Sequence, residues 1–329
     1  MSLKIIKNGI LDTIQDCGRY GFQHLGINPG GAMDLFSAQL NNSLLGKNLD
    51  SPVIEIHFPA SQILFERETI ICITGANFSP GINHQNIPLD QPVAINKNSV
   101  LQFKKMETGA WCYLSVLHEI ELDKWLNSYS TNLKAAAGGW HGRPLQKGDT
   151  LNFKNIFSCE HLVRNKDFSL LPWRANRKNK NGTEIRFIPG NEWDWLSEEA
   201  KNTFQEGNFQ ISNKSDRMGY RLTGKELKLK ENKQLVSSAV TFGTIQLLPD
   251  GQLIVLMADH QTTGGYPRAG HVISVDLPLM SQKKPGDKII LCAVERYIAE
   301  QELIEQQNYL QQLQTTCKFK MENLLNVTL

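Results

Sequence analysis

The sequence lacks the motifs that mark the commonest nucleotide-binding and hydrolytic enzymes. It has no GxxxxGK(S/T) phosphate loop, no GxGxxG after a strand, no HExxH and no GxSxG. If the protein uses ATP, its phosphate site is therefore built from residues other than the commonest glycine-rich loop.

Closely spaced metal ligands and disulfide patterns are also missing. No two of the eight histidines lie within five residues of each other. The six cysteines are scattered, at Cys17, Cys72, Cys112, Cys159, Cys292 and Cys317. We therefore expect neither a zinc site built from close ligand pairs nor a disulfide framework, and we predict no metal ligand among the histidines and cysteines. Cys72, Cys112 and Cys292 lie in apolar strand-like runs and are expected to be small buried hydrophobic residues.

Charge and hydropathy argue against a nucleic-acid or membrane partner. The 35 Lys and Arg residues nearly balance the 33 Asp and Glu residues, and the net charge is only +2. No run reaches the roughly 18 apolar residues that span a bilayer. The first residues, MSLKIIKNG, lack the apolar core of a signal peptide. We expect a cytoplasmic protein.

The residues that are present favour a mainly β protein. Hydrophobic residues make up 40% of the chain, which is enough for a substantial core, and 329 residues suit two domains. Val53–Phe58 alternates apolar and polar residues as a half-buried strand does. Thr244–Leu248 and Leu253–Met257 flank a Pro-Asp-Gly turn and predict a hairpin. Many short strands with regular turns favour sandwiches or barrels over a doubly wound sheet.

Three segments predict helices. Asp34 is a plausible N-cap for Leu35–Leu45, which Gly46 would end, and Ser197 could cap Glu198–Phe204. The third segment runs from Glu295 to about Leu313 and contains neither glycine nor proline.

A polar, basic segment predicts the domain boundary. Arg174–Gly182, RANRKNKNG, has the composition of a linker. We therefore expect an N-terminal half over residues 1–175, a C-terminal half over 183–294 and a helical tail over 295–329.

The first polar cluster is Asp12–Gly21, DTIQDCGRYG, which follows a short strand. It combines Asp12, Gln15 and Asp16 with Arg19, whose planar guanidinium suits a carboxylate or a phosphate. Its glycines let a ligand approach the backbone closely. An ordered loop, in which the aspartates cap turns and Arg19 pairs with one of them, explains the same residues.

The second and third clusters combine glycine turns with polar groups. GINPGGAMD includes Gly31, Met33 and Asp34, and its exposed N–H groups at a helix start could bind an anion. A plain junction between a loop and a helix is the alternative. SDRMGYRL carries Arg217 and Arg221 around a glycine.

The fourth cluster, MADHQTTGGYPR, follows the apolar strand that ends the predicted hairpin. A rigid strand that delivers polar groups onto a flexible loop is a common way to build an active site. His260 could act as an acid or base near neutral pH, although a hydrogen-bonding loop histidine is the alternative. The candidate residues of this loop are Asp259, His260, Gln261, Thr262, Thr263, Gly264, Gly265 and Tyr266.

Together, in this order, the four clusters resemble the biotin-dependent carboxyltransferase-like (allophanate hydrolase subunit 2) family. Supporting stretches are ITGANF, NSYSTN, GGWHGRPLQKGD and IRFIPG. The resemblance covers about Lys4 to Leu291. It implies two cyclophilin-like β-barrel domains in tandem, with a few helices and a C-terminal helix.

The resemblance also implies a function. With partner subunits B and A, such a chain would open 5-oxo-L-proline to L-glutamate with ATP hydrolysis, using ATP with Mg²⁺. The side-chain chemistry within the family motifs makes Asp12, Asp16 and Asp259 candidates for a metal or general base. The arginines Arg19, Arg217 and Arg221 are candidates for binding phosphate or substrate carboxylate, and Gln15, Gln261 and Thr262 for orienting the amide.

Three residues depart from the family pattern and put the substrate in question. His118 and Glu119 stand where a Gly-Gly pair is common, and Tyr129 replaces an expected arginine. Two other functions stay open. One is a carboxyltransferase of a urea or allophanate system, with biotin supplied in trans because the chain has no AMKM-like segment. The other is a non-catalytic regulatory partner of a kinase-inhibitor-like protein.

Overall fold

The computed structural model describes residues 2–164, 166–176, 182–231, 233 and 235–326. The protein is mainly β, with 32% strand and 21% helix, as the alternating runs predict. Of the predicted boundary Arg174–Gly182, residues 177–181 lie outside the described residues.

Two compact units divide the chain. Unit 1 comprises Met1–Gly18, Asp34–Lys178 and Gln307–Leu329, and unit 2 comprises Arg19–Met33 and Asn179–Gln306. These units differ from the expected halves in two places. Residues 19–33 belong to unit 2, and the expected helical tail is shared between the units.

Unit 1 contains a seven-stranded and a six-stranded sheet, in the orders β11-β12-β1-β4-β9-β6-β7 and β13-β8-β5-β10-β3-β2. The strands are β1 Ser2–Lys7, β2 Thr13–Gln15, β3 Val53–Ile56, β4 Gln62–Phe65, β5 Thr69–Asn77, β6 Pro80–Ile82, β7 Gln85–Asn86, β8 Val93–Ile95, β9 Ser99–Phe103, β10 Thr108–Val116, β11 Glu119–Ile120, β12 Thr150–Lys154 and β13 Phe168–Leu170. Their apolar residues form a core that includes Leu3, Ile54, Ile73 and Leu114.

The first helix of unit 1, α1 (Leu35–Leu44), begins at the predicted residue and ends one residue before the predicted Leu45. The Asp34 carboxylate accepts a hydrogen bond from the Ser37 N–H at 2.8 Å. Gly46 follows with a φ of +69°, the left-handed conformation that commonly ends helices. The helix lies against β5, where the Thr74 hydroxyl donates to the Ser37 carbonyl at 2.7 Å.

Unit 2 is built on a closed barrel in the order β14-β21-β18-β19-β16-β15-β22, with β17 and β20 paired beside it. The strands are β14 Glu184–Pro189, β15 Asn208–Ile211, β16 Gly219–Thr223, β17 Ser238–Ala239, β18 Thr244–Leu247, β19 Leu253–Leu256, β20 Thr263–Gly264, β21 Arg268–Val272 and β22 Lys288–Ala293. β14 and β22 run parallel and complete the barrel. The predicted hairpin is confirmed, since β18 and β19 pair antiparallel with Leu247 opposite Leu253.

The remaining α-helices of the described chain are α2 Glu198–Glu206, α3 Leu277–Ser281 and α4 Arg296–Leu325. The Ser197 hydroxyl caps α2, as predicted, by accepting from the Ala200 N–H. Helix α4 runs twelve residues beyond the expected end at Leu313. Cys317, Met321 and Leu325 recur every four residues and are buried in unit 1, so packing extends the helix.

The cysteine predictions hold for two of three residues. All six cysteines are free thiols, and Cys72 and Cys112 are fully buried. Cys292 is only half-buried, because it occupies one of the more exposed positions in the alternating burial of β22. Within the described residues, no helix combines the length and apolarity needed to cross a membrane.

Gly75 provides a test of the sheet geometry in unit 1. It has a φ of +85° at an irregularity in the β5–β10 pairing, and an added Cβ would lie 2.4 Å from the Trp111 carbonyl oxygen. We predict that Gly75→Ala lowers the free energy of unfolding by more than about 2 kcal/mol, because strain and a backbone clash add. Urea denaturation measures the change.

Gly148→Ala is the matched control for backbone strain alone. Gly148 has a φ of +99°, but an added Cβ would meet nothing within 4 Å. We expect it to cost about 1 kcal/mol. Equal losses in the two variants would contradict the proposed clash.

Candidate functional site

Asp12 is a buried carboxylate in unit 1 that joins two loops. Its Oδ2 accepts from the Ser61 N–H at 2.8 Å and its Oδ1 from the His57 N–H at 3.3 Å. Its side chain is only 1% exposed, and burial raises its pKa from 3.8 to about 6, against the opposing effect of these hydrogen bonds. These hydrogen bonds connect the loop of Asp12 to the loop that contains His57 and Ser61. A catalytic role for Asp12 stays a prediction.

Asp16, also in unit 1, accepts hydrogen bonds from four groups. Its Oδ1 receives the Gly18 N–H at 2.8 Å and the hydroxyls of Ser128 and Ser130 at 2.7 and 2.5 Å. Its Oδ2 receives the Tyr129 N–H at 2.6 Å. These bonds organise the turn after β2, as the ordered-loop alternative anticipated, and a reactive role for Asp16 stays a prediction.

Gln15 and Asp34 have different surroundings within unit 1. The Gln15 amide is 1% exposed and donates to the Thr13 hydroxyl at 3.0 Å, while its Oε1 has no hydrogen-bond partner among the described residues. The Asp34 side chain caps the N-terminus of α1. This agrees with the alternative interpretation of GINPGGAMD as a plain junction between a loop and a helix.

In unit 2, the structure brings together residues from all four predicted clusters. Arg217 donates two hydrogen bonds to the Asp259 carboxylate, from Nε at 2.8 Å and from Nη2 at 3.0 Å. Its Nη2 also donates to the Gly31 carbonyl at 2.7 Å. An added Cβ on Gly30 would lie 3.0 Å from Arg19 Nη1 and 3.7 Å from Asp259 Oδ1. The two predicted loops around Arg19 and Asp259 therefore meet at Gly30.

The cluster around Arg217 and Asp259 is largely shielded from water. The Arg19, Met33 and Arg217 side chains are at most 7% exposed. A guanidinium at such a position is stable only when its charge is matched by acceptors such as the Asp259 carboxylate.

His260 is buried rather than a surface loop residue. It is 3% exposed, and its Nδ1 donates to the Gln261 carbonyl at 2.6 Å. Burial lowers the pKa of its imidazole, partly offset by that hydrogen bond and by Asp259. The neutral ring is therefore the stable form near pH 7, with Nε2 able to accept a proton.

The loop after His260 forms part of the wall of an open cavity of about 510 Å³ in unit 2. Gln261 and Tyr266 line it from the loop, and Arg221 lines it from β16. Thr263 and Gly264 form β20 instead, and the Thr262 carbonyl accepts from the Val240 N–H at 3.2 Å. Gly265 lies against Ser237 and lines a second groove beside the barrel.

The sequence analysis named three of the lining residues, Arg221, Gln261 and Tyr266, and among those it missed are Lys214 and Gln246. Lys214 precedes the SDRMGYRL motif, and Gln246 lies in the middle of β18. Lys214 could have been found by its position beside that motif. Gln246 carries no local signal, because a polar residue at an alternating strand position usually faces solvent.

The three departures from the family pattern all lie in unit 1. His118 is buried and its Nε2 contacts the Phe157 carbonyl at 3.0 Å. Glu119 opens the short strand β11 and accepts from Asn155 at 3.1 Å. The Tyr129 ring lies 5.0 Å from the Lys124 ammonium. None of them lines the cavity of unit 2.

The chain consists of two mainly β units. One of them is a closed barrel with a polar cavity beside its strands. The fold is therefore that of a mainly β protein with two β units in one chain. The chain belongs to the carboxyltransferase domain, subdomain A and B family, which matches residues 25–292. The resemblance inferred from the four motifs is thereby confirmed.

Two bacterial relatives match over nearly their whole length. The chain is 33% identical to the C subunit of 5-oxoprolinase from Haemophilus influenzae, over 92% of this chain and 94% of that one. It is 32% identical to the Escherichia coli protein of the same name, over 94% and 97%. It is also 30% identical to the urea amidolyase of Saccharomyces cerevisiae, over 88% of this chain but only 16% of that protein.

Solved structures confirm the mainly β fold. Urea amidolyase of Kluyveromyces lactis matches with a TM-score of 0.84 and 25% identity, over 95% of this chain and 20% of that chain. Urea carboxylase of the same yeast matches equally well over 29% of its length. This chain thus corresponds to one part of those larger enzymes.

Asp12 gives the site a testable pH dependence. Because its folded pKa is raised, the folded protein binds a proton more tightly than the unfolded chain between about pH 4 and pH 6. We predict that the free energy of unfolding falls by about 2 to 3 kcal/mol as the pH rises through this interval. Asp12→Asn should remove that part of the slope in urea denaturation at a series of pH values.

Asp123→Asn, in an exposed loop, controls for the loss of one carboxyl group. An unchanged slope in Asp12→Asn would show that the Asp12 carboxyl does not titrate in this interval.

Proposed function

We propose that this chain is the C subunit of an ATP-dependent 5-oxoprolinase, which cleaves 5-oxo-L-proline to L-glutamate together with partner subunits B and A. One observation carries the proposal. The match to relatives named as the C subunit of 5-oxoprolinase extends over more than nine tenths of both chains. The match to urea amidolyase covers only a small part of that enzyme.

The geometry of unit 2 supports a small polar substrate. The cavity is lined by Arg221, Lys214 and Gln261, whose side chains make no hydrogen bond or ion pair with other described residues. Charged and amide groups without protein partners are available to bind the carboxylate and amide of a ligand.

The chemistry requires activation of a stable amide. Transfer of the γ-phosphoryl group of ATP to the lactam oxygen gives ADP and makes the ring carbon a better electrophile. One water then attacks that carbon and the C–N bond breaks, which leaves an acyl phosphate, and a second water hydrolyses this to glutamate and phosphate. Cationic donors at the developing negative charge stabilise such transition states.

We include ATP with Mg²⁺ in the proposed reaction because the family resemblance implies it. Among the described residues, no group of three or more His, Cys, Asp or Glu side chains is arranged to hold a metal ion. We therefore assign no step of the reaction to a metal held by this chain.

A carboxyltransferase acting on urea or a related amide is the second candidate. The TM-score of 0.84 to the urea amidolyase of Kluyveromyces lactis favours it. In that reaction biotin carried by another protein would supply the carboxyl group. ATP-dependent carboxylation of urea in the presence of a biotin carrier would distinguish it.

Reconstitution tests the leading proposal. The chain is mixed with subunits B and A, 5-oxo-L-proline and ATP, and glutamate and ADP are measured. We predict glutamate and ADP in equal amounts. An assembly that contains the Escherichia coli relative in place of this chain serves as the working control. No glutamate from the complete set, beside an active control, would overturn the proposal.

Arg221→Gln in the same assembly tests the cavity. We expect kcat/KM for 5-oxo-L-proline to fall at least about tenfold, because an ionic partner of the substrate is removed. Arg296→Gln is the control, since Arg296 is exposed on α4 and pairs only with Glu300 among the described residues. Full activity in Arg221→Gln would exclude the cavity as the substrate site while leaving the function intact.

A further inference from the structure

Residues 157–163 of unit 1 form a segment that belongs to neither of its sheets. The segment lies between β12, in the seven-stranded sheet, and β13, at the edge of the six-stranded sheet. Its regular structure is a single 3₁₀ turn, Glu160–Leu162. The segment can therefore leave its place without breaking a strand pairing, as locally unfolding parts of proteins do.

Histidines donate the hydrogen bonds that attach this segment to other elements of unit 1. Among the described residues there are two such bonds. His118 Nε2, at the end of β10, donates to the Phe157 carbonyl at 3.0 Å, and His161 Nε2 donates to the Leu324 carbonyl of α4 at 3.2 Å. His118 is fully buried, whereas His161 is exposed to water, which competes for its bond. The bond from His118 is therefore the stronger attachment.

The segment covers part of an apolar cluster. Cys159 and Val163 are at most 1% exposed and pack in a cluster that also includes Leu40 of α1 and Met321 of α4. Opening of the segment would bring the Cys159 thiol into contact with solvent. Because only a few apolar side chains hold the segment in place, loss of one buried hydrogen bond is a large change for it.

The surroundings of His118 tolerate only the neutral imidazole. Since Nε2 carries the hydrogen that meets the Phe157 carbonyl, Nδ1 of the neutral ring carries a lone pair. Nδ1 is buried and has no hydrogen-bond partner among the described residues. The rings of Phe153 and Phe157 lie 5.4 and 4.8 Å from the imidazole. Protonation would thus place a charge and a new N–H donor where no acceptor meets them.

The charged groups near His118 come from two other elements. Lys47 follows α1, and Arg67 and Glu68 lie between β4 and β5. Burial is the main cause that lowers the pKa of His118 from 6.5; Arg67 and Lys47 lower it further, and the bond to the Phe157 carbonyl and Glu68 oppose the shift. The Glu68 carboxylate is itself 3.3 Å from Arg67 Nε, which limits its support for a second cation.

We propose that His118 is a pH-sensitive switch, which keeps residues 157–163 in place while its imidazole is neutral and releases them when Nδ1 is protonated. In the open form the imidazole meets water and regains the ordinary pKa of about 6.5. The closed form then binds fewer protons than the open form below about pH 6.5, so opening becomes more favourable as the pH falls through this value. Above it, the closed form keeps its full advantage. The proposal concerns unit 1 and does not depend on the function proposed above.

Thiol labelling of Cys159 in the full chain measures the opening. The protein is treated with 4,4′-dithiodipyridine, a disulfide that reacts with thiols in mild acid as well as at neutral pH, and labelled peptides are quantified by mass spectrometry. Cys17, which is half-buried in the same unit, is the internal reference for the reagent. We expect labelling of Cys159 relative to Cys17 to rise at least about threefold from pH 7.5 to pH 5.5. Cys112, buried in the sheet, should stay unlabelled.

Two substitutions separate protonation from packing. His118→Gln keeps an N–H donor for the Phe157 carbonyl but takes up no proton, so the labelling ratio should be the same at both pH values. His118→Phe has no donor, so Cys159 should be labelled faster than in the unchanged protein at pH 7.5, again without a rise in acid. His24→Gln, which removes an exposed imidazole from unit 2, is the control and should keep the rise.

The outcomes decide the proposal in either direction. A constant ratio in the unchanged protein, or a rise that persists in His118→Gln, overturns the switch. Labelling of Cys112 in parallel with Cys159 also overturns it, because the whole of unit 1 then unfolds rather than the segment. If His118→Gln does not fold, the absence of an acid-dependent rise in His118→Phe supports the switch and its presence overturns it.

Discussion

The antiparallel register of β16, β19 and β18 is the constraint on which the cavity wall of unit 2 depends. Because side chains alternate along a strand, a slip of one residue in β18 would turn Gln246 into the barrel core and Ile245 outward. The parallel pairing of β14 with β22 closes the barrel. Closure removes the free edges at which strands slip, so it also fixes the distance between Gln246 and Arg221.

The buried pair of Arg217 and Asp259 is the second constraint in unit 2. Removing one partner would leave the other charge in a site shielded from water, which is strongly unfavourable. The pair lies directly before His260 and the loop that covers Gln246, and its bond to the Gly31 carbonyl includes residues 19–33 in the same cluster. These charges therefore position the loop, and a direct role of Arg217 or Asp259 in binding or catalysis stays a prediction.

Features that depend on neighbours in sequence were predictable, and features that depend on distant packing were not. The Asp34 and Ser197 caps and the β18–β19 turn follow from local chemistry, and the structure contains all three. The end of α4 was missed because only burial against unit 1 stabilises its last three turns. Gln246 was missed for the same reason, since it is buried by a loop that follows some eighteen residues later.

The two cations that line the cavity bear on the choice between the two candidate functions. Urea has no carboxylate to bind Arg221 and Lys214. 5-Oxo-L-proline carries a carboxylate on the ring carbon next to its N–H group. A cation without a partner in the protein contributes to affinity only when the ligand supplies an anion. Arg221 therefore favours an amide acid over urea as the occupant, although the fold itself is shared with enzymes named for urea.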